Sequence, residues 1–135
     1  MKPLSSLILA ALLGLAVGAC GSSVTTSGFK GEAHAVAQRV SDLQSDISAA
    51  SEQNICEKDF SRAARARLST AGSTCKAALK RQLGSIDDYE LTLKKIAVSG
   101  TTATAQVRST WSGKLRTSTL KLVKEGGGWR VEGVE

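Results

Sequence analysis

Thr102-Ala103-Thr104-Ala105-Gln106-Val107-Arg108-Ser109-Thr110-Trp111 decides the fold. Ala103, Ala105, Val107 and Trp111 alternate with Thr104, Gln106, Arg108 and Thr110. A period of two puts successive side chains on opposite faces of an extended chain, and threonine suits a pleated, half-buried surface. The stretch predicts a strand with one face on a core. Working outward, Ser99-Gly100 precedes it and Ser112-Gly113 follows it, and both read as turns. Upstream, Tyr89, Leu91 and Leu93 alternate with Glu90, Thr92 and Lys94, after which Ile96 and Val98 appear on the other parity. The register therefore slips near Lys94-Lys95, as a bulge would make it do. Downstream, Leu115 to Val123 reads as a third strand, and Gly126-Gly127-Gly128 turns the chain into Trp129-Arg130-Val131-Glu132-Gly133-Val134. Successive strands with short turns predict an antiparallel meander.

Further upstream the period changes to that of a helix. From Glu32 to about Ser51 the residues Ala33, Val36, Val40, Leu43 and Ile47 recur at spacings of three and four, while Arg39, Asp42, Asp46 and Glu52 fall off the stripe. A second helix is expected from Glu57 or Lys58 to Leu68. Phe60, Ala64 and Leu68 form its inner face, Arg62 and Arg65 lie outside, and Glu57 and Asp59 complement the dipole of its first turn. A third runs from Ser73 or Thr74 to Leu83, with Gly84 where a C-terminal glycine would sit. Helices first and strands afterwards predict an α+β fold, N-terminal helices packed on a curved antiparallel four-stranded meander.

The start of the chain carries a different message. Lys2 precedes an uncharged apolar run from Leu7 to Val17, closed by Gly18-Ala19-Cys20. That is the order of an export signal, and the run is short for a bilayer span of about 20 residues. Val17-Gly18-Ala19-Cys20 resembles the lipobox of bacterial lipoproteins. The resemblance implies cleavage before Cys20, whose thiol would carry diacylglycerol and hold the mature chain on the extracytoplasmic face of a cell membrane, since paired acyl chains anchor stably. No aspartate follows Cys20, so inner-membrane retention is not signalled. The expected organisation is residues 1–19 as signal peptide, 20–31 as a lipidated flexible tether, and 32–135 as one domain.

With Cys20 taken by lipid, Cys56 and Cys75 form an even pair in an oxidising compartment. They are expected to form a disulfide between the starts of the second and third helices; two buried thiols are the alternative. His34 is the only histidine, which leaves too few nitrogen and sulfur ligands for a metal site. No cofactor is implied. The formal charge of +6 is concentrated in Lys58, Arg62, Arg65, Arg67, Lys76, Lys80 and Arg81, which face Asp59 alone in that segment. Such a face would draw anionic lipid head groups or an envelope protein within a Debye length of about 8 Å. An ordinary solvated helical face is the alternative. Nucleic acid is not an expected partner, because the compartment is wrong and the chain has two Trp, two Phe and one Tyr for stacking.

The long helix, the cysteine-flanked helical segment and the meander ending in Lys124-Glu125-Gly126-Gly127-Gly128-Trp129-Arg130-Val131 resemble the lipoprotein branch of the nuclear transport factor 2-like superfamily, a cystatin-like α+β fold. An Ala-rich strand of that branch is matched by Thr102-Ala103-Thr104-Ala105. The resemblance implies a curved sheet wrapped over helices, with a conical hollow that in various members holds a small apolar ligand, hosts catalysis or meets a partner. No strand hairpin separates the helices here, which implies four strands and a shallow hollow.

Isomerases and hydrolases of that superfamily use an aspartate within the cone. Here Asp87, Asp88, Glu90, Glu125 and Glu132 fall at turns or on polar parities, and His34 opens the first helix, where it is expected to face solvent. No nucleophile with a base and no phosphate-binding loop stands out. The reading is a non-enzymatic, lipid-anchored binding or interaction module. The alternatives are an accessory subunit of a membrane protein using the basic face, or a small isomerase or hydrolase. Trp111 and Trp129 are candidate anchors for a partner or, equally, core-filling residues.

Overall fold

A computed structural model describes residues 24–70, 72–85, 89–111 and 113–135. The signal peptide, Cys20, Asp87 and Asp88 lie outside the described residues. Among the described residues four α-helices precede a four-stranded antiparallel sheet, so the protein is α+β. The elements are α1 (Glu32–Ser48), α2 (Glu52–Asn54), a π-helical turn (Ile55–Asp59), α3 (Arg62–Leu68), α4 (Cys75–Leu83), β1 (Tyr89–Ser99), β2 (Thr102–Trp111), β3 (Lys114–Glu125) and β4 (Gly128–Val134).

The sheet runs in sequence order β1-β2-β3-β4, each strand antiparallel to the next. Ala105 pairs with Ile96 on one side and Leu120 on the other, so small, branched and long residues share the face turned to the helices. The β1 register shifts between Leu93 and Lys95, where the parity change had placed a bulge. The β3–β4 turn uses Gly126 and Gly127 at φ 58° and 82°, the left-handed pair that tight hairpins demand.

The α1 stripe packs against that inner face. Val36, Ala37 and Val40 have no exposed surface, and Leu91, Ala105, Val107 and Leu122 meet them at 2 % exposure or less. Burying such side chains is worth about 1.5–3 kcal/mol each for the larger ones, and this layer is the main source of stability. The helix ends at Ser48 rather than Ser51, with Ala50 at φ 51° reversing the chain.

The second helix departs from its sequence reading. Phe60 is extended (φ −90°, ψ 143°) and forms a parallel bridge with Val131, and Ser61 N–H donates to the Val131 carbonyl at 2.9 Å. Pairing with the otherwise open edge of β4 wins over helical periodicity at this point. The chain restarts as α3 because Ser61 Oγ accepts from Ala64 N–H at 3.1 Å, a serine N-cap. Asp59 therefore does not sit in a helical first turn; it closes the π-helical turn and is fully buried. Thr74 caps α4 in the same way, through Ala77 N–H at 3.2 Å. Gly84 is right-handed (φ −64°), so no left-handed glycine ends α4.

Cys56 and Cys75 are joined by a disulfide, with Cα atoms 6.2 Å apart. The even pair of cysteines is joined as expected, though the bond ties the π-helical turn, not the start of a second α-helix, to the first residue of α4. Part of the segment expected to be flexible is packed: Val24 is 7 % exposed and belongs to the core cluster, and the Thr26 carbonyl lies 3.2 Å from His34 Nδ1. Among the described residues, the packed part therefore includes Val24, ahead of Glu32. No helix among the described residues is long and apolar enough to cross a membrane.

Candidate functional site

The layer between α1 and the sheet is filled with side chains, so the described residues leave their hollows at the surface. One of about 250 Å³ lies where α1, α2 and the π-helical turn meet, lined by Arg39, Asp42, Asp46, Asn54, Lys58 and Asp59. Arg39, Asp42 and Asp46 are spaced by three and four residues, so they share one helical face beside the apolar stripe.

Arg39 anchors the arrangement. Its Nη1 donates to Asp59 Oδ1 at 2.8 Å, its Nε donates to the Trp129 carbonyl at 2.8 Å, and Asp42 Oδ2 lies 3.6 Å from Nη1. One guanidinium thereby joins α1, the π-helical turn and β4. Asp59 has no exposed surface, and its Oδ2 has no hydrogen-bond partner. Burial, then the neighbouring Asp46 carboxyl, push the Asp59 pKa up to about 7 against the opposing pull of Arg39. A proton on Asp59 would be shared with Asp46, whose Oδ1 already accepts from Asn54 Nδ2 at 3.1 Å. The wall therefore offers acceptors on Asp46 and Asp59 beside donors on Arg39, Asn54 and Lys58.

Two other hollows differ in character. About 390 Å³ lies over Ala97, Thr104 and Lys121, whose parity is opposite to that of half-buried Ile96 and buried Ala105 and Leu120. It is a shallow hollow on the sheet face turned away from α1. About 180 Å³ lies between α3 and β4, lined by Phe60, Ala64, Leu68, Val131 and Val134, and it is the apolar one.

A family model described as "Putative lumazine-binding" matches residues 29–132. The chain belongs to this family. Among solved structures, it is similar to a five-substitution variant of Rd1NTF2_05, at 16 % identity and a TM-score of 0.54, over 78 % of this chain and 98 % of that one. The likeness is one of fold, and it places this family member among nuclear transport factor 2-like folds. No curated protein matches the chain.

In this lumazine-binding-family domain the seven basic residues do not converge on one spot. Lys58 lines the polar hollow. Arg67 borders the apolar one and donates to the Glu132 carbonyl. Lys76 pairs with Glu57 at 3.1 Å, and Arg81 donates to Ser73 Oγ at 3.1 Å. Arg65 is half-buried with an unpartnered Nε, whereas Arg62 and Lys80 are exposed. His34 is exposed, and its Nδ1 serves the Thr26 carbonyl. Trp129 is a core residue, 3 % exposed, and its Nε1 donates to Glu32 Oε2 at 2.7 Å. Lys124 Nζ stands 5.8 Å above the same ring while pairing with Glu32 Oε1 at 2.7 Å. Glu57 and Glu32 are each held below the ordinary glutamate range, first by their hydrogen bonds to Lys76 and Lys124 respectively. Among the described residues no group of three or more His, Cys, Asp or Glu is placed to hold a metal ion.

Sequence reasoning missed Arg39, Asp46 and Asp59 as a unit. It assigned the first two to solvent because they left the apolar stripe. Their own three-and-four spacing with Asp42 was the available signal.

Proposed function

We propose that the protein is a small-ligand-binding module of a bacterial cell envelope, held to the extracytoplasmic face of a membrane by diacylglycerol on Cys20. It acts by binding rather than by catalysis. The anchor is supported by the order Lys2, apolar Leu7 to Val17, then Gly18-Ala19-Cys20.

The binding site is the hollow around Arg39, Asp46 and Asp59. The observation that carries this is the Asp59–Asp46 carboxyl pair in the wall of an open hollow, where no protein donor reaches Asp59 Oδ2 and Asp46 is half-buried. Two crowded carboxyls repel one another when both are charged, and a ligand N–H placed against the half-buried Asp46 would relieve that repulsion. Lumazine, named by the family's description, presents a flat pyrimidinedione edge with N–H donors beside carbonyl acceptors. Asp59 and Asp46 suit the donors, and Arg39, Asn54 and Lys58 suit the carbonyls.

Calorimetric titration of lumazine into the full chain tests the reading. Saturable one-to-one binding is expected, weakened about tenfold or more in Asp59→Asn and Asp46→Asn, each of which removes a charged acceptor. Absence of binding to the unmodified protein, or unchanged affinity in both variants, would reject this site for lumazine.

A further inference from the structure

We infer that the mature domain rests end-on against the bilayer, with the start of α1 and the β1–β2 and β3–β4 turns facing lipid head groups. The inference builds on Cys20 as the lipid-bearing residue. Val24 is only four positions beyond Cys20 and is already packed in the core, at 7 % exposure. Four residues span at most about 14 Å when fully extended. The polar head-group region alone takes roughly 5–8 Å on each side of a bilayer. The domain surface around Val24 is therefore held at the membrane, whatever path the intervening residues take.

That surface is identified by its hydrogen bonds. Thr26, two residues after Val24, accepts from Phe29 N–H at 3.2 Å, and its carbonyl meets His34 in the first turn of α1. Glu32, also in that turn, pairs with Lys124 at 2.7 Å, and Lys124 N–H donates to the Thr101 carbonyl at 2.8 Å. Both hairpin turns thus gather beside the start of α1. Arg62 joins them, because its N–H donates to Glu125 at 3.1 Å. From Thr101, β2 runs the length of the sheet to Trp111 and turns back at Lys114. At about 3.3 Å per residue that far end lies roughly 30 Å away, about twice the reach of the tether. Exposed Lys30 and Arg62 at the near end suit an anionic lipid surface, the partner to which we assign this end.

The test places one nitroxide on the lipidated full chain, at Thr101→Cys or at Lys114→Cys. Both positions are exposed, and with Cys20 acylated and Cys56 bonded to Cys75 the new thiol is the reactive one. The protein is reconstituted in phosphatidylcholine–phosphatidylglycerol vesicles containing a nickel-chelating lipid, and spin relaxation is read. Relaxation several-fold faster at position 101 than at 114 is expected. Equal rates, or a faster rate at 114, would overturn the orientation. A long Gly/Ser insertion after Ser22 should erase the difference; its persistence would overturn the short tether as the cause. Intact mass on the same sample distinguishes a failed orientation from a missing anchor, since a chain lacking diacylglycerol would overturn the anchor itself.

Discussion

Arg39 grips Asp59 through one carboxylate oxygen, at 2.8 Å, and leaves the other without a partner. This single bond joins α1 to the π-helical turn across a pair of acids. Removing Arg39 would leave an uncompensated carboxylate in the interior. Arg39→Met is expected to cost about 3–5 kcal/mol at alkaline pH, as broken buried pairs do, and less in mild acid, where Asp59 takes up a proton. Urea unfolding on both sides of neutrality checks this.

The same group sets a pH dependence opposite to that of most salt-bridged acids. Its folded pKa, about 7, stands above the unfolded value of 3.8. Between those values the folded protein binds more protons than the unfolded one, so stability falls as pH rises and levels off above about 7. The change is a few kcal/mol at most. Glu32 and Glu57 act in the opposite direction: their depressed pKa values add stability that is lost as pH falls through the carboxylate range. Greatest stability is expected in mildly acidic buffer, near about pH 5. Asp59→Asn should flatten the decline between about pH 5 and 7 in thermal unfolding.

Reduction of the Cys56–Cys75 bridge releases a loop with a sequence separation of 19. A loss on the order of 3 kcal/mol is expected from chain entropy. Thermal melts with and without reductant, compared with a Cys56→Ser, Cys75→Ser double variant, should agree on that loss. A variant that melts with the oxidised protein would contradict it.

Ser61 is fully buried and caps α3 through Ala64. Ser61→Ala should cost about 1–2 kcal/mol, toward the upper end because a buried N–H loses its acceptor. Ser61→Asn, which can cap but is larger, separates the capping loss from overpacking at this dry position. Chemical denaturation of both variants provides the comparison.

Much of the sheet was legible because alternation is a local property. The slip at Lys94-Lys95 could be read from parity alone, and the register shift falls there. Glycine turns and the helical stripe of α1 were local in the same sense. Phe60 was not, because its extended conformation depends on Val131, far along the chain. Helical spacing around Phe60 could not report an edge that forms only once β4 is in place. Asp59 and Arg39 were hidden for a related reason: each residue is charged and off an apolar stripe, so only their pairing in space reveals burial. Val24 stood inside a polar segment, where one apolar residue makes no pattern.

The parallel bridge between Phe60 and Val131 also bears on self-association. A bare edge strand offers unpaired amides and carbonyls to any passing chain. Here one border of the sheet is occupied by the protein's own backbone at Phe60 and Ser61. The opposite border, β1, is interrupted by a bulge beside two lysines, Lys94 and Lys95. At high local concentration, neighbouring copies would find neither border ready to accept a strand, and the sheet would remain the property of a single molecule.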